Sequence, residues 1–185
     1  MSDPFSTLEG TLDQVWLRLA RGVAEKRAPA RHPVLATMGP EGAEVRTMVL
    51  RYARRSIDRV ELNSDLRSAK VDELRANPQG TLLIWEPRAK LQIRLRTRFE
   101  ILEGDKVRGY WRAMPDPARL LYGGKPAPGM PIGHPAEHKP VPDQAAYCVL
   151  RGTVVEIDTL QLGMPRHRRA LFRAVDGWVG KWSAP

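Results

Sequence analysis

From Pro33 onward the apolar residues of this chain recur with a period of two, and that period restricts it to a sheet-based fold. Val34-Leu35-Ala36-Thr37-Met38 is followed by the turn chemistry of Gly39-Pro40-Glu41-Gly42 and by a second extended run, Ala43 to Tyr52. A short strand is predicted over Arg59 to Asn63. A hairpin follows, Thr81–Trp85 and Leu91–Ile101, around Glu86-Pro87-Arg88. Ala145 to Asp158 returns to strand, and Arg166–Val175 with Trp178–Trp182 closes the chain about an Asp176-Gly177 turn. Six or seven strands with short connections predict a mainly β protein: a closed antiparallel barrel with helices at its edge.

The helical period appears in three places. Leu8, Leu12, Val15, Trp16, Leu19 and Val23 give an amphipathic helix over 5–27, within an N-terminal segment of 1–30, set across the outside of the sheet. Asp65 to Ala76 is opened by Ser64/Asp65 and stopped by Asn77-Pro78, and Gly104 to Met114 suits another helix. Residues 115–143 hold many prolines and glycines without periodicity and read as a long loop. At 185 residues, with 42% hydrophobic and 28% charged, the chain is expected to form one domain, 1–185.

Bulk properties narrow the function only slightly. The formal charge of +9 raises nucleic acid as a partner, yet the arginines are spread through segments that also carry acids, so a solvated basic surface is the plainer reading. The single cysteine, Cys148, sits in the strand-like A-A-Y-C-V-L and reads as an inert core thiol, which points to a reducing compartment. No stretch approaches the roughly 18 apolar residues of a membrane span. A cytoplasmic location without membrane partners is expected. His134 and His138 have helical metal-ligand spacing, but Pro135 and Pro140 break the helix, so no metal is expected.

Four polar clusters punctuate the β segments. Alternation puts Arg46, Met48 and Leu50 on one face of their strand and Thr47, Val49 and Arg51 on the other. Arg46 either meets an anion inside an apolar face or lies at a wet rim. In N-S-D-L-R-S-A-K, Ser64, Ser68 and Lys70 surround a helix start, which is a ready anion site or an ordinary cap. Gln92, Arg94, Arg96 and Arg98 share the face of their strand opposite Leu91, Ile93, Leu95 and Thr97, facing either a planar ligand or solvent. His167 and Arg169 share the face of the last basic strand opposite Arg166 and Arg168. They read as ligand contacts from the far end of the barrel or from a second subunit, or as a charged edge that discourages strand pairing.

Taken in order, these segments resemble the pyridoxamine 5′-phosphate oxidase-like family of FMN-binding split β-barrels, in particular its bacterial FMN-binding branch. The resemblance runs from about Pro33 to the C-terminus and rests on Arg46-Thr47-Met48-Val49-Leu50-Arg51, Asn63-Ser64 with Ser68-Ala69-Lys70, Asn77-Pro78, Trp85-Glu86-Pro87, Gln92-Ile93-Arg94 and His167-Arg168-Arg169. It implies an antiparallel, Greek-key-like split barrel that binds FMN. The strand Arg46-Thr47-Met48-Val49-Leu50-Arg51 would bind the flavin, with phosphate contacts from Arg46, Asn63, Ser64, Ser68 and Lys70 and ring contacts from Val49, Leu50, Gln92 and Arg169. It also implies a homodimer with FMN at the subunit interface, Gln92 reaching across from the partner.

The departures fall on the substrate side. Ala69 replaces a phosphate-binding arginine of the family. The oxidase's substrate-phosphate lysine, tyrosine and arginine fall at Arg51, Tyr110 and Met114, its serine is lost in the Pro-rich loop, and its C-terminal arginine is Pro165. Vitamin B6 oxidation is therefore not favoured. The expectation is an FMN-dependent oxidoreductase for a small organic molecule, with Tyr110 and His167 as substrate-side candidates. The alternatives are a flavin carrier or sensor without turnover, or a basic nucleic-acid-binding barrel.

Overall fold

The structure is a computed structural model that describes residues 3–163 and 165–185, so Met164, at the head of the last basic segment, lies outside the described residues. Nine strands are found among them: β1 (Val34–Gly39), β2 (Gly42–Thr47), β3 (Leu50–Arg54), β4 (Arg59–Asp65), β5 (Gln79–Glu86), β6 (Leu91–Leu102), β7 (Tyr147–Gln161), β8 (Arg168–Arg173) and β9 (Lys181–Ser183). The pairings are antiparallel in the order β2-β1-β5-β6-β7-β4-β3, with β8 joined to the second half of β7 and β9 to β8. The expected closure is not found. Strands β2 and β3 stand at opposite ends of that order, each with one ladder neighbour among the described residues.

The reason lies in the segment predicted as one strand, Ala43 to Tyr52. It is two strands. The β1–β2 ladder ends at Thr47 opposite Val34, and the Met48 amide bonds back to the carbonyl of Pro33. Two residues later Leu50 begins a ladder with Leu62 of β4. The chain thus crosses from one edge of the sheet to the other within Met48-Val49. Side-chain alternation survives the crossing: Met48 and Leu50 are buried while Thr47 is exposed. An apolar pattern alone could not reveal the change of partner.

The main core lies on the inner face, where β5 and β6 alternate as their sequences dictate. Leu82, Ile84, Leu91, Ile93 and Leu95 are fully or almost fully buried, and Gln92, Arg94, Arg96 and Arg98 point away. Helix α1 (Leu8–Ala24) is capped by the Thr7 side chain accepting from the Gly10 amide. It buries Leu12, Val15, Trp16 and Leu19 into this same core, against β3 and β8. It is shorter than predicted because Pro4–Ser6 forms a separate 3-10 turn and Glu25 leaves helical geometry. In β7, Val154 and Ile157 both enter the core although three residues apart. Register slips between Arg96 and Thr97 of β6, leaving Val155 as the extra residue of a bulge. That bulge sits where β7 exchanges β4 for β8 as its neighbour.

Helix α2 (Ala69–Ala76) packs against β1 and β6. On the outer face of β4 and β7 a second, smaller core is formed by Leu102, Val107, Tyr122, Tyr147 and Val149. Tyr110, Trp111 and Met114, on and just beyond α3 (Arg108–Ala113), pack against it. The helix predicted over Gly104 to Met114 is α3 preceded by a 3-10 turn. Residues 115–143 are not featureless. They contain α4 (Asp116–Arg119), a 3-10 turn at Pro135–Glu137 and a bridge pairing Lys125 with Lys139. The base of this segment is tight: Gly123 has φ +105°, and a Cβ there would lie 2.5 Å from the Val141 carbonyl oxygen.

Cys148 is fully buried, and burial pushes its thiol up to about 12, as an inert core position requires. No cluster of three metal-ligating side chains occurs among the described residues, and His134 instead caps the 135–137 turn by accepting from the Ala136 amide. Among the described residues no helix is long and apolar enough to cross a membrane.

Gly152, mid-β7, tests the packing. A Cβ there would approach Thr97 Cγ2 to 2.3 Å and the Phe99 ring to 3.0 Å. Gly152→Ala is expected to destabilise the protein by about 1–3 kcal/mol, measured by urea unfolding. An unchanged midpoint would contradict the close β6–β7 packing.

Candidate functional site

The two segments that the sequence marks as anion-binding meet at one place. Ser64 is the last residue but one of β4, Ser68 precedes α2, and Arg46 reaches in from β2. Ser64 Oγ lies 3.0 Å from Ser68 Oγ, and Lys70 Nζ lies 3.5 Å from Ser64 Oγ. Ser68 donates to the Asp65 carbonyl at 2.6 Å and makes no side-chain bond to the helix, so the first amides of α2 are not capped by it. Burial lowers the pKa of Lys70, and the neighbouring Arg46 lowers it further. Two cations crowded beside an uncapped helix start form an arrangement that an anion stabilises.

Arg46 does not lie at a wet rim. It bonds Glu73 Oε2 at 2.9 Å and contacts Thr37 Oγ1, and Thr37 in turn donates to Glu73. Glu73 is 8% exposed and Thr37 4%. This buried pair fixes the guanidinium from behind while the rest of its fork remains available. Sequence reasoning missed Glu73. Its place one turn beyond the helix start, i+3 from Lys70, was the signal that could have found it.

The turn holding Ser64 and Ser68 is itself braced. The Asp65 carboxylate, 7% exposed, accepts from the Arg67 amide at 2.9 Å, from the Arg67 guanidinium at 2.7 Å and from the Gly123 amide at 3.0 Å. Arg67 also donates to the Gly124 carbonyl at 3.0 Å, tying the base of the 115–143 segment to the cradle. Burial raises the Asp65 pKa, but the bonds from Arg67 and Gly123 outweigh it and hold it below the usual carboxylate range.

Beyond the cradle the chain runs Thr47-Met48-Val49-Leu50-Arg51. Five residues from Arg46 to Arg51 span roughly 17 Å if extended. Met48 and Leu50 point into the core, and β3 keeps an edge without a ladder partner among the described residues. Arg51 then enters a cavity of about 260 Å³ under α3, together with Glu61, Asn63, Tyr110, Met114 and Tyr147. Asn63 faces this side of β4, whereas Ser64 faces the cradle. The Tyr110 hydroxyl is 3.2 Å from Glu61 Oε1 and accepts from Arg151 at 2.9 Å, and Arg151 also bonds Glu61 at 2.8 Å.

Gln92 and Arg169 do not join this assembly. Gln92 pairs across the ladder with Trp85 and Leu160, and Leu160 pairs with Arg169. Ser64 pairs with Cys148 at the other end of β7. The separation from 148 to 160 is about 40 Å of strand. Arg169 and Arg94 instead share the Asp158 carboxylate, which Arg169 bonds at 2.9 Å, and these bonds hold the Asp158 pKa down against burial. His167 precedes β8 rather than sharing a strand face with Arg169. Its Nδ1 accepts from the Gly163 amide at 3.3 Å, in a cleft with Phe5 and Trp182.

Comparison with known proteins fits this geometry. Residues 13–103 match the sequence profile described as pyridoxamine 5'-phosphate oxidase, FMN-binding domain. Through that segment the chain belongs to the pyridoxamine 5′-phosphate oxidase-like FMN-binding family, and FMN is the cofactor of that domain. The chain is 29% identical over 174 residues to pyridoxine/pyridoxamine 5'-phosphate oxidase 2 of Arabidopsis thaliana, covering 83% of this chain and 86% of that protein. A pyridoxamine 5'-phosphate oxidase-related FMN-binding protein of Nostoc punctiforme PCC 73102 superimposes with a TM-score of 0.73 at 27% identity, covering 94% and 95% of the two chains. PhzG from Burkholderia lata 383 shares the fold, with a TM-score of 0.71 at 18% identity over 95% and 91% of the chains.

The brace predicts a pH dependence. A carboxylate whose folded pKa is depressed contributes stability that is complete above its unfolded value, about 3.9, and is lost as pH falls through the folded value. Asp65→Asn is therefore expected to be less stable than the parent at pH 7, with a gap that narrows as the pH falls below about 3.9 and closes below the depressed folded value. A stability gap that stays constant from pH 7 to pH 3 would contradict the ionised brace.

Proposed function

We propose that this protein is an FMN-dependent oxidoreductase acting on a small organic molecule, as a homodimer in the cytoplasm. The observation that carries the reading is the cradle of Arg46, Ser64, Ser68 and Lys70, whose cations and hydroxyls suit a phosphate monoester. FMN, when bound, supplies hydride or electron chemistry. The chain's own part is to grip the phosphate, present the open edge of β3 at Val49 and Leu50 to the ring, and shape the far cavity around Arg51. The missing arginine at Ala69 leaves the cradle with two cations, a sufficient number for one dianion.

The second subunit is argued from distance and surface. Gln92 and Arg169 are the remaining flavin contacts the family resemblance implies, and they lie at the far end of β7. Leu83 and Trp85 are 36% and 47% exposed on the same outer face as Gln92 and Arg94. A copy of the chain packed on that face would cover them and bring Gln92 and Arg169 to the other chain's cradle. The polyanion reading is weaker. Outside the proposed flavin contacts, Arg67, Arg94, Arg151 and Arg168 are engaged with acids.

Two experiments test this. Lys70→Ala is expected to weaken FMN binding by about 1.5–3 kcal/mol, the worth of one charge-assisted bond, in a fluorescence titration. An unchanged isotherm removes Lys70 from the cradle. Mixing Lys70→Ala with Arg169→Ala subunits should restore one wild-type flavin site per mixed dimer. Absence of restored sites in verified mixed dimers would mean that each site is built within one chain.

A further inference from the structure

The turn that joins β4 to α2 works in two directions. Ser64 and Ser68 bring their hydroxyls to 3.0 Å from each other in the cradle. The three residues between them bond to the Pro-rich segment and its end. The Asp65 carboxylate accepts from the Gly123 amide at 3.0 Å, the Leu66 amide donates to the Ala146 carbonyl at 2.7 Å, and the Arg67 guanidinium donates to the Gly124 carbonyl at 3.0 Å. Five consecutive residues thus shape the cradle and also hold both feet of the excursion that runs from Gly123 to Ala146.

That excursion has little else to hold it. Every residue from 128 to 143 is exposed, and among the described residues the hydrogen bonds of 125–139 stay within that stretch. Its neck is closed by the bridge between Lys125 and Lys139 and by the Asp143 amide donating to the Tyr122 carbonyl at 3.0 Å. A segment with no packed face keeps its conformation only while its feet are fixed. An anion bonded to Ser64 and Ser68 selects the same backbone conformation of the turn that the bonds to residues 123, 124 and 146 require. Two contacts that select one conformation favour each other, and the favour is reciprocal.

Resting on the phosphate cradle of the flavin reading, we infer that residues 123–146 form a strap latched to the cradle through Asp65, Leu66 and Arg67, so that a phosphate group held there fastens the strap and a fastened strap tightens the grip on phosphate. The strap therefore reports whether the cradle is filled.

Hydrogen exchange read by mass spectrometry on the full-length protein, freed of flavin, tests the latch. Exchange is compared in inorganic phosphate, in chloride of equal ionic strength, in FMN and in riboflavin. Phosphate and FMN are expected to slow the amides of 122–125 and 139–146 at least about fivefold, the lower end of ordinary coupling between sites, while riboflavin leaves them unchanged. Asp65→Asn should abolish that slowing. Gly123→Ala attacks the latch from the strap side, since a Cβ there would lie 2.5 Å from the Val141 carbonyl oxygen and 2.5 Å from Asp143 Cβ. It should weaken FMN at least about fivefold and leave riboflavin affinity unchanged. Where a variant does not fold, the ligand series on the parent decides alone. Slowing by riboflavin as large as that by FMN, slowing confined to residues 64–72, no slowing by any ligand, or an unchanged FMN isotherm in folded Gly123→Ala would each overturn the inference. Failure of FMN to bind while inorganic phosphate slows the strap would overturn the flavin reading and leave the latch standing.

Discussion

The arrangement depends on one half-buried ion pair, Arg46 with the buried Glu73. It brings a cation from the end of β2 against the first turns of α2, across a gap that no sheet ladder spans. With Glu73 behind it, Arg46 remains beside Lys70 although both are cations and Lys70 is already partly desolvated. Removing Glu73 would leave a half-buried guanidinium without its counter-charge beside an ammonium that it already disfavours. The pair therefore fixes the position of the cradle and stores the positive potential that a phosphate would discharge.

From that anchor the rest of the site follows by chain geometry. The crossing at Met48-Val49 leads from the cradle along an unpaired strand edge to Arg51 and the cavity under α3. One six-residue run thereby links the cradle to that cavity. Asp65 and Arg67 extend the bracing outward, since the same carboxylate that shapes the Ser64–Ser68 turn also holds Gly123 at the base of the Pro-rich segment. Pro115 and Ala118, in the same Pro-rich segment, line the cavity under α3. The cradle and the cavity under α3 share one scaffold.

Much of this was legible in the sequence because it is written in local pattern. The period of β5 and β6, the opening of α2 and the polar residues at strand ends are short-range features, and they place Arg46, Ser64, Ser68 and Lys70 without knowledge of the fold. What the sequence concealed is long-range. A run of alternating residues does not say that its ladder partner changes at Met48, and a Pro/Gly-rich composition does not reveal the bridge between Lys125 and Lys139. The partners Glu73 for Arg46 and Asp158 for Arg169 lie 27 and 11 residues away. The packing of the Tyr147 ring against Tyr122 and Trp111 is likewise invisible in A-A-Y-C-V-L. The family resemblance supplied the dimer and the cross-subunit role of Gln92, which no local pattern contains.

The central claim is that the cradle recognises a phosphate group and not merely a planar ring. The most direct measurement is the ratio of FMN to riboflavin affinity in the unmodified protein, taken at moderate salt. Two charge-assisted bonds to the phosphate predict at least about 100-fold tighter binding of FMN. Equal affinity for the two flavins would show that Arg46 and Lys70 hold no phosphate, and would contradict the account at its root.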